Sequence, residues 1–174
     1  TGESMKLAKD FRYNGADMGI TLANLKPNTA YVFTIYGLSF DAAGSYRSAT
    51  FTSNAPGAQK LTVDLNQYGQ GNGILVNYTY TTDASGTPVA ISYPAPGAGT
   101  FHTSGFSNRQ AVASTQPELW TLGAWFDDAS SEVSPNHVYT HAFSFGSTVG
   151  FNLNGINFTG LGGINPTGSG LTVT

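Results

Sequence analysis

Three histidines, ten acidic residues and no cysteine are the raw material for chemistry in this chain. Without thiolates, disulfide frameworks and Cys-ligated metals are excluded. His137 and His141 would share a face on a helix, but the intervening Val138-Tyr139-Thr140 is strand-like. On a strand their even spacing leaves them on one side, about 13 Å apart, too far to hold one ion together. No H-E-x-x-H run supplies a zinc pair, and His102 and His141 read as half-buried members of sheet hydrogen-bond networks. Asp127, Asp128 and Glu132 follow Trp125-Phe126 in a loop. Ca²⁺ wants about six to eight oxygens, often from loop carboxylates and carbonyls. These three are the candidate ligands of a structural Ca²⁺, with solvated loop charge as the alternative. A nucleophile elbow is absent, because Gly168-Ser169-Gly170 lacks the flanking pattern and strand-to-helix context. Nothing points to two carboxylates facing each other across a cleft, as glycoside hydrolysis requires. The chain reads as a non-enzyme with no cofactor beyond that Ca²⁺.

Aromatic rings are the other resource. Trp120, Trp125 and Tyr68 are candidate sugar platforms, with Tyr78 and Tyr80 beside them, because a flat ring stacks on the apolar face of a sugar. Trp120 and Trp125 differ by five, which puts them on opposite faces of a strand, so at least one belongs in a core. Tyr31, just after Pro27-Asn28-Thr29, resembles the corner tyrosine of sandwich domains, whose hydroxyl ties a loop to the backbone. Asn77-Tyr78-Thr79 and Asn157-Phe158-Thr159 match the glycosylation sequon, which is a chance match if the source is bacterial.

The elements that would carry these residues are strands. The chain has 174 residues, 22 Gly, 8 Pro, 13% aromatics and only 10% charged residues, against about 25% charged in an average protein. Few charges with many aromatics argue for a folded chain with a Thr/Ser/Asn/Gly surface. The net charge of −3 excludes the basic footprint of a nucleic-acid binder. No apolar run is long enough to insert in a membrane, and Thr1-Gly2-Glu3-Ser4 does not read as the start of a signal peptide. The composition is commonest in secreted bacterial proteins, which sets the expectation of an extracellular or cell-surface location.

Period-2 alternation predicts strands at Gly19–Leu22, Ala30–Tyr36, Arg47–Ser53, Lys60–Asp64, Gly73–Thr81, Val89–Tyr93 and Thr100–Phe106. It continues at Leu119–Phe126, Val138–Phe145, Thr148–Leu153, Ile156–Thr159 and Leu171–Thr174, with one helical turn around Met5–Phe11. Asn14-Gly15, Pro27-Asn28, Ala43-Gly44, Asn72-Gly73, Ser85-Gly86 and Asn154-Gly155 supply turns. The last is the sharpest hairpin signal, since a type I′ turn wants φ > 0 at both central residues. Ile74, Val76, Tyr78 and Tyr80 should share one face, with Leu75, Asn77 and Thr79 on the other. Ala30–Tyr36, apolar on both faces, should be a central strand. Short strands with such turns predict an all-β fold, an antiparallel β-sandwich of jelly-roll or immunoglobulin/fibronectin-III-like type. Ser107–Pro117 is polar and irregular. It divides a main sandwich portion, 1–109, from a hairpin-rich portion, 119–174, with 110–118 as linker. Gly160–Gly170 is flexible by composition.

Several motifs recur in one order. They are Leu25-Lys26-Pro27-Asn28-Thr29-Ala30-Tyr31, Asn77-Tyr78-Thr79-Tyr80 and Phe101-His102-Thr103-Ser104-Gly105-Phe106-Ser107-Asn108. Tyr139-Thr140-His141-Ala142-Phe143 and Asn154-Gly155-Ile156-Asn157-Phe158 follow. Together they resemble β-sandwich modules, often in tandem, of large secreted or surface proteins of environmental bacteria. The resemblance covers most of the chain apart from Ser107–Leu119, and the family brings no catalytic activity. In those modules the half resembling 119–174 comes first and the half resembling 5–109 second, so the order here is reversed. Joining Leu171-Thr172-Val173-Thr174 to Thr1-Gly2-Glu3-Ser4-Met5 gives a natural junction, and both ends look like cut edges. One period of a repeating chain, or a subunit that completes its fold with a neighbour's strand, would account for this; a simple two-part protein is the alternative. Sharing would work by β-augmentation, and if its rotation does not close it builds an open filament. The expected assembly residues are Val138, Tyr139, Phe143, Phe145, Leu171 and Val173, the partner is the chain itself, and a polysaccharide is a second partner. The resulting expectation is a self-associating structural module of a bacterial filament, surface layer or adhesin stalk, with a non-catalytic carbohydrate-binding module as the alternative.

Overall fold

Two nine-residue runs of β-branched and aromatic residues nucleate the architecture. They are β3 (Ala30–Leu38) and β6 (Gly73–Thr81), paired antiparallel with Tyr31 opposite Tyr80 and Ile35 opposite Val76. The computed structural model describes residues 2–9, 11–14, 18–41, 47–55, 59–95, 100–113, 118–145, 147–162, 167–168 and 171–173. On its other side β3 pairs antiparallel with β8 (Phe101–Gln110). β9 (Leu119–Trp125) lines the outer side of β6. β10 (Tyr139–Ser144) and β1 (Arg12–Asn14) pair with successive stretches of β8. A hairpin of β11 (Phe151–Leu153) and β12 (Ile156–Gly160) continues beyond β10, the β10–β12 contact being parallel.

The second sheet runs in the order β13 (Thr167–Gly168), β14 (Leu171–Val173), β2 (Gly19–Leu22), β7 (Val89–Ser92), β4 (Ser48–Ser53) and β5 (Leu61–Asp64). The fold is an all-β sandwich of two antiparallel-rich sheets packed face to face. Among the described residues there are fourteen strands, more than the seven of an immunoglobulin constant-type sandwich.

Side-chain alternation sorts the core into two clusters. Phe33, Ile35, Ile74, Val76, Tyr78 and Tyr80 point into the space between the sheets, where they meet Ile20, Phe51, Val63 and Ile91. The opposite face of the first sheet contributes Tyr36, Leu75 and Trp125 to a second cluster. That cluster is closed by Leu7 of the short helix α1 (Ser4–Ala8) and by Phe151, Leu153 and Phe158 of the β11–β12 hairpin. Both face assignments made for Ile74–Tyr80 hold, and β3 is central and buried on both sides.

β8 departs from the expectation. Ser107–Pro117 was expected to be irregular, but β8 continues through Gln110, and Ser107 and Asn108 are buried. Hydrogen bonds, not apolar side chains, hold this stretch in the sheet. Tyr36 Oη and Ser107 Oγ lie 3.3 Å apart, Tyr80 donates to Asn108 Oδ1 at 3.0 Å, and Asn108 Nδ2 donates to Thr140 Oγ1 at 2.8 Å. A buried polar pair costs little once both partners are satisfied. The segment 110–118 therefore joins two strands of one sheet, with Gln110 the last residue of β8. Residues 114–117 lie outside the described residues.

The strands of 119–173 take places beside those of 12–110 in the same chain: β9 on β6, β10 on β8, β14 on β2. Asn154 and Gly155 have φ of 49° and 85°, the type I′ signature that the Asn-Gly pair predicts. Tyr31 acts as a corner residue: the Lys26 N–H donates to its hydroxyl at 3.0 Å. Gly15, Ala43, Gly44 and residues 163–166 and 169–170 of the expected tail lie outside the described residues. No helix among the described residues is long and apolar enough to cross a membrane.

Burial pushes the Tyr36, Tyr78 and Tyr80 phenols up, and that of Tyr93 to about 12. These groups bind their protons more tightly folded than unfolded, so the stability they contribute is complete below the unfolded value of about 10 and is lost above it. The urea midpoint should stay level from neutral pH to about pH 9 and fall between about pH 10 and 12. A level midpoint through that upper window would show that these phenols are not buried.

Candidate functional site

Two surface features stand apart from the packed core. The first is an aromatic recess of about 370 Å³ beside β1, lined by Phe11, Tyr13, Phe40, Asp41, Arg47, Thr100 and His102. Strand pairing builds its floor. β1 lies antiparallel to the start of β8 with Tyr13 opposite His102, and Phe11, two residues earlier, stacks on the imidazole with centroids 4.3 Å apart and planes 27° apart. Phe40, just past the end of β3, packs on Phe11 at 4.8 Å, and Tyr13 lies 6.0 Å from Phe11 and 6.4 Å from His102. Tyr13 is 66% exposed and Phe40 41% exposed.

The wall of the recess is charged but paired. Arg47 Nε donates to Asp41 Oδ2 at 2.5 Å, and Arg47 Nη1 donates to Thr100 Oγ1. The guanidinium hydrogen bond holds the Asp41 carboxyl below its ordinary range. Burial, reinforced by the Arg47 charge, pushes the His102 imidazole down, which favours the neutral ring that stacks under Phe11.

The second feature is an open sheet edge. The sheets end at β11, β13 and β5, of three, two and four residues, and at β9, of seven. β9 reads LWTLGAW, with neither charge nor Pro. Among the described residues nothing pairs with its outer side, so roughly half of its N–H and C=O groups face outward. Leu119 at one end is 50% exposed and Phe126, next to the other end, 64%.

The three expected sugar-platform residues are not brought together. Trp125 is 2% exposed and lies in the second cluster, its indole N–H shared between Gly37 O and Ile74 O at 3.1 Å each, so it offers no ring face to a ligand. Trp120 packs against the first cluster, stacked on Tyr78 at 4.2 Å. The two tryptophans therefore lie on opposite faces, as their spacing predicts. Tyr68 closes the 3₁₀ turn Leu65–Tyr68 and also packs on the first cluster.

The expected Ca²⁺ ligands do not converge. Asp127 accepts the Ser130 N–H and hydroxyl at 2.7 and 2.6 Å. Asp128 accepts the Glu3 and Ser4 N–H groups at 3.1 and 2.7 Å. Glu132 accepts Asn77 Nδ2 at 3.0 Å. No group of three or more His, Asp or Glu able to hold a metal occurs among the described residues. His141 is buried with Nδ1 3.0 Å from Thr140 Oγ1, and burial pushes His137 down.

Two of the expected assembly residues belong to the chain's own core. Phe145 and Val173 are 1% and 2% exposed, because β14 pairs with β2 and Phe145 packs near Phe106. Leu171 pairs in register with Leu22. Phe143 is half-buried against the first cluster, and the Tyr139 hydroxyl accepts the Ser134 N–H at 3.2 Å. Val138, 60% exposed, is left on the surface.

Sequence reasoning missed the recess. The signals were Phe11-x-Tyr13, one face of a short strand, and the solitary Phe40, but only the fold brings them to His102. No protein-family model matches the chain, and no curated protein or solved structure matches it either.

The contacts of Asp128 yield a test. Its carboxylate caps α1 from a distant loop, in place of a side chain at the helix start. A Cβ on Gly2 would come within 2.4 Å of that carboxylate, so Gly2 leaves room for the approach. Asp128→Ala should cost about 1 kcal/mol, the usual loss for a helix cap, read from urea denaturation at pH 7. The hydrogen bonds from Ser4 hold the Asp128 carboxyl low, so its contribution is complete above the unfolded value of about 4 and is lost as the carboxylate protonates below it. The wild type and variant curves should therefore converge in acid.

Proposed function

We propose that the chain is a non-enzymatic structural module that associates head-to-tail with further copies of itself, joined covalently or not, as part of a bacterial extracellular or cell-surface assembly. The observation that carries this reading is the uncharged seven-residue edge of β9. Natural sheets blunt long edges with Lys, Pro or a covering segment; β9 has neither residue. An added strand would satisfy its outward backbone groups and cover Leu119 and Phe126. The low charge of the chain, 10%, keeps repulsion and charge desolvation between stacked copies small. The resemblance to tandem surface modules favours the same reading.

Geometry decides what the contact builds. β9 against β9 would close a two-fold dimer, whereas β9 against a different edge of the next copy propagates. Sedimentation and electron microscopy over rising concentration should show linear oligomers. Thr121→Lys, at an exposed position of β9, should shift their onset upward by about tenfold in concentration. A wild type that stays monomeric, or that stops at a dimer, would contradict the reading.

A further inference from the structure

The aromatic recess has no part in strand addition, since it lies beside β1 at the far side of β8 from β3, whereas β9 flanks β6. Its composition constrains what it can hold. The exposed rings of Tyr13 and Phe40 flank the Phe11–His102 stack, a broad apolar surface beside the Asp41–Arg47 pair. Side chains of that pair remain 35% and 27% exposed. Among the described residues Arg47 gives side-chain hydrogen bonds to Asp41 and Thr100 alone, and Asp41 Oδ1 accepts no side-chain hydrogen bond.

An apolar ligand would desolvate these polar groups without replacing their hydrogen bonds, which penalises every group left unpaired. A charged ligand would meet an unfavourable partner in a pair that is neutral as a whole. A pyranose ring fits both parts. Its flat C–H face lies on aromatic rings, and the hydroxyls at its rim both donate and accept.

We propose that this recess binds a neutral pyranose unit of a polysaccharide, the ring stacking on Tyr13 and Phe40 and its hydroxyls meeting Asp41 and Arg47.

Affinity electrophoresis tests this with gels containing hydroxyethylcellulose, xylan, galactomannan or dextran, and dextran sulfate as the polyanion control. At least one neutral polymer should retard the wild type. Tyr13→Ala and Phe40→Ala should each raise the apparent Kd by about tenfold, the value of one aromatic stack with its buried area. Val112→Ala, at a 98% exposed residue with no part in the recess or the β9 edge, should leave it unchanged. Retardation by none of the neutral polymers, retardation by dextran sulfate alone, or equal retardation of Tyr13→Ala would overturn the proposal. A second readout does not depend on the variants folding: amide shifts of the wild type on adding an oligosaccharide of the retarding polymer. These should cluster at residues 11–13, 40–41 and 100–102, and clustering elsewhere would overturn the proposal.

Discussion

β3 cannot present either face to water. Tyr31, Phe33 and Ile35 on one side and Tyr36 on the other are all at most 1% exposed, and the neighbouring β6 and β8 are buried through most of their length. A half-covered antiparallel sheet usually keeps one polar face; this one has to be roofed twice. The second sheet covers the face of Phe33 and Ile35. The other face is closed by α1 and the β11–β12 hairpin, which seat Leu7, Leu153 and Phe158 against Tyr36, Leu75 and Trp125. The need for that second roof explains why a sandwich carries a helix at one end of its chain and a folded-over hairpin near the other. It also explains why Asp128, in the loop after β9, fastens α1.

Several polar groups under the second roof are paired, while the buried Ser4 hydroxyl of α1 has no partner among the described residues. Thr34 Oγ1 donates to Asn77 Oδ1 at 2.6 Å, and Asn77 passes the chain on to Glu132. On the same face Tyr36 Oη meets Ser107 Oγ, and on the inner face Tyr80 donates to Asn108, which donates to Thr140. Each such contact fixes the register of a strand as well as satisfying a buried group, because a slip of one residue would bury the donor without its acceptor.

This pattern separates what could be read in the sequence from what could not. Gly73–Thr81 was legible to the residue because its alternation is apolar on one face and its neighbours are turns. Tyr31 and Asn154-Gly155 were legible because their roles rest on contacts a few residues away. The second half of β8 was not, since Ser107-Asn108-Arg109 looks like a loop until Tyr36, Tyr80 and Thr140 are placed beside it. The carboxylates of Asp127, Asp128 and Glu132 looked like a shared loop cluster, yet each turns to a different partner. The recess draws on Phe11, Phe40 and His102, which only the pairing of β1 with β8 brings within ring contact. Short-range signals were readable, and roles set by residues far apart in the chain were not. The open edge and the recess lie toward different sides of the first sheet, so a module joined to its neighbour through β9 would keep the recess exposed.

Hydrogen exchange on the dilute monomer tests the double covering of the first sheet by one chain. Amides of β3 and of Phe106–Asn108 should exchange slowest, and those of β14 should be protected at every protein concentration because β2 of the same chain pairs with them. Amides of β14 that exchange freely in the monomer and become protected only on association would show instead that the core is completed by a neighbour's strand.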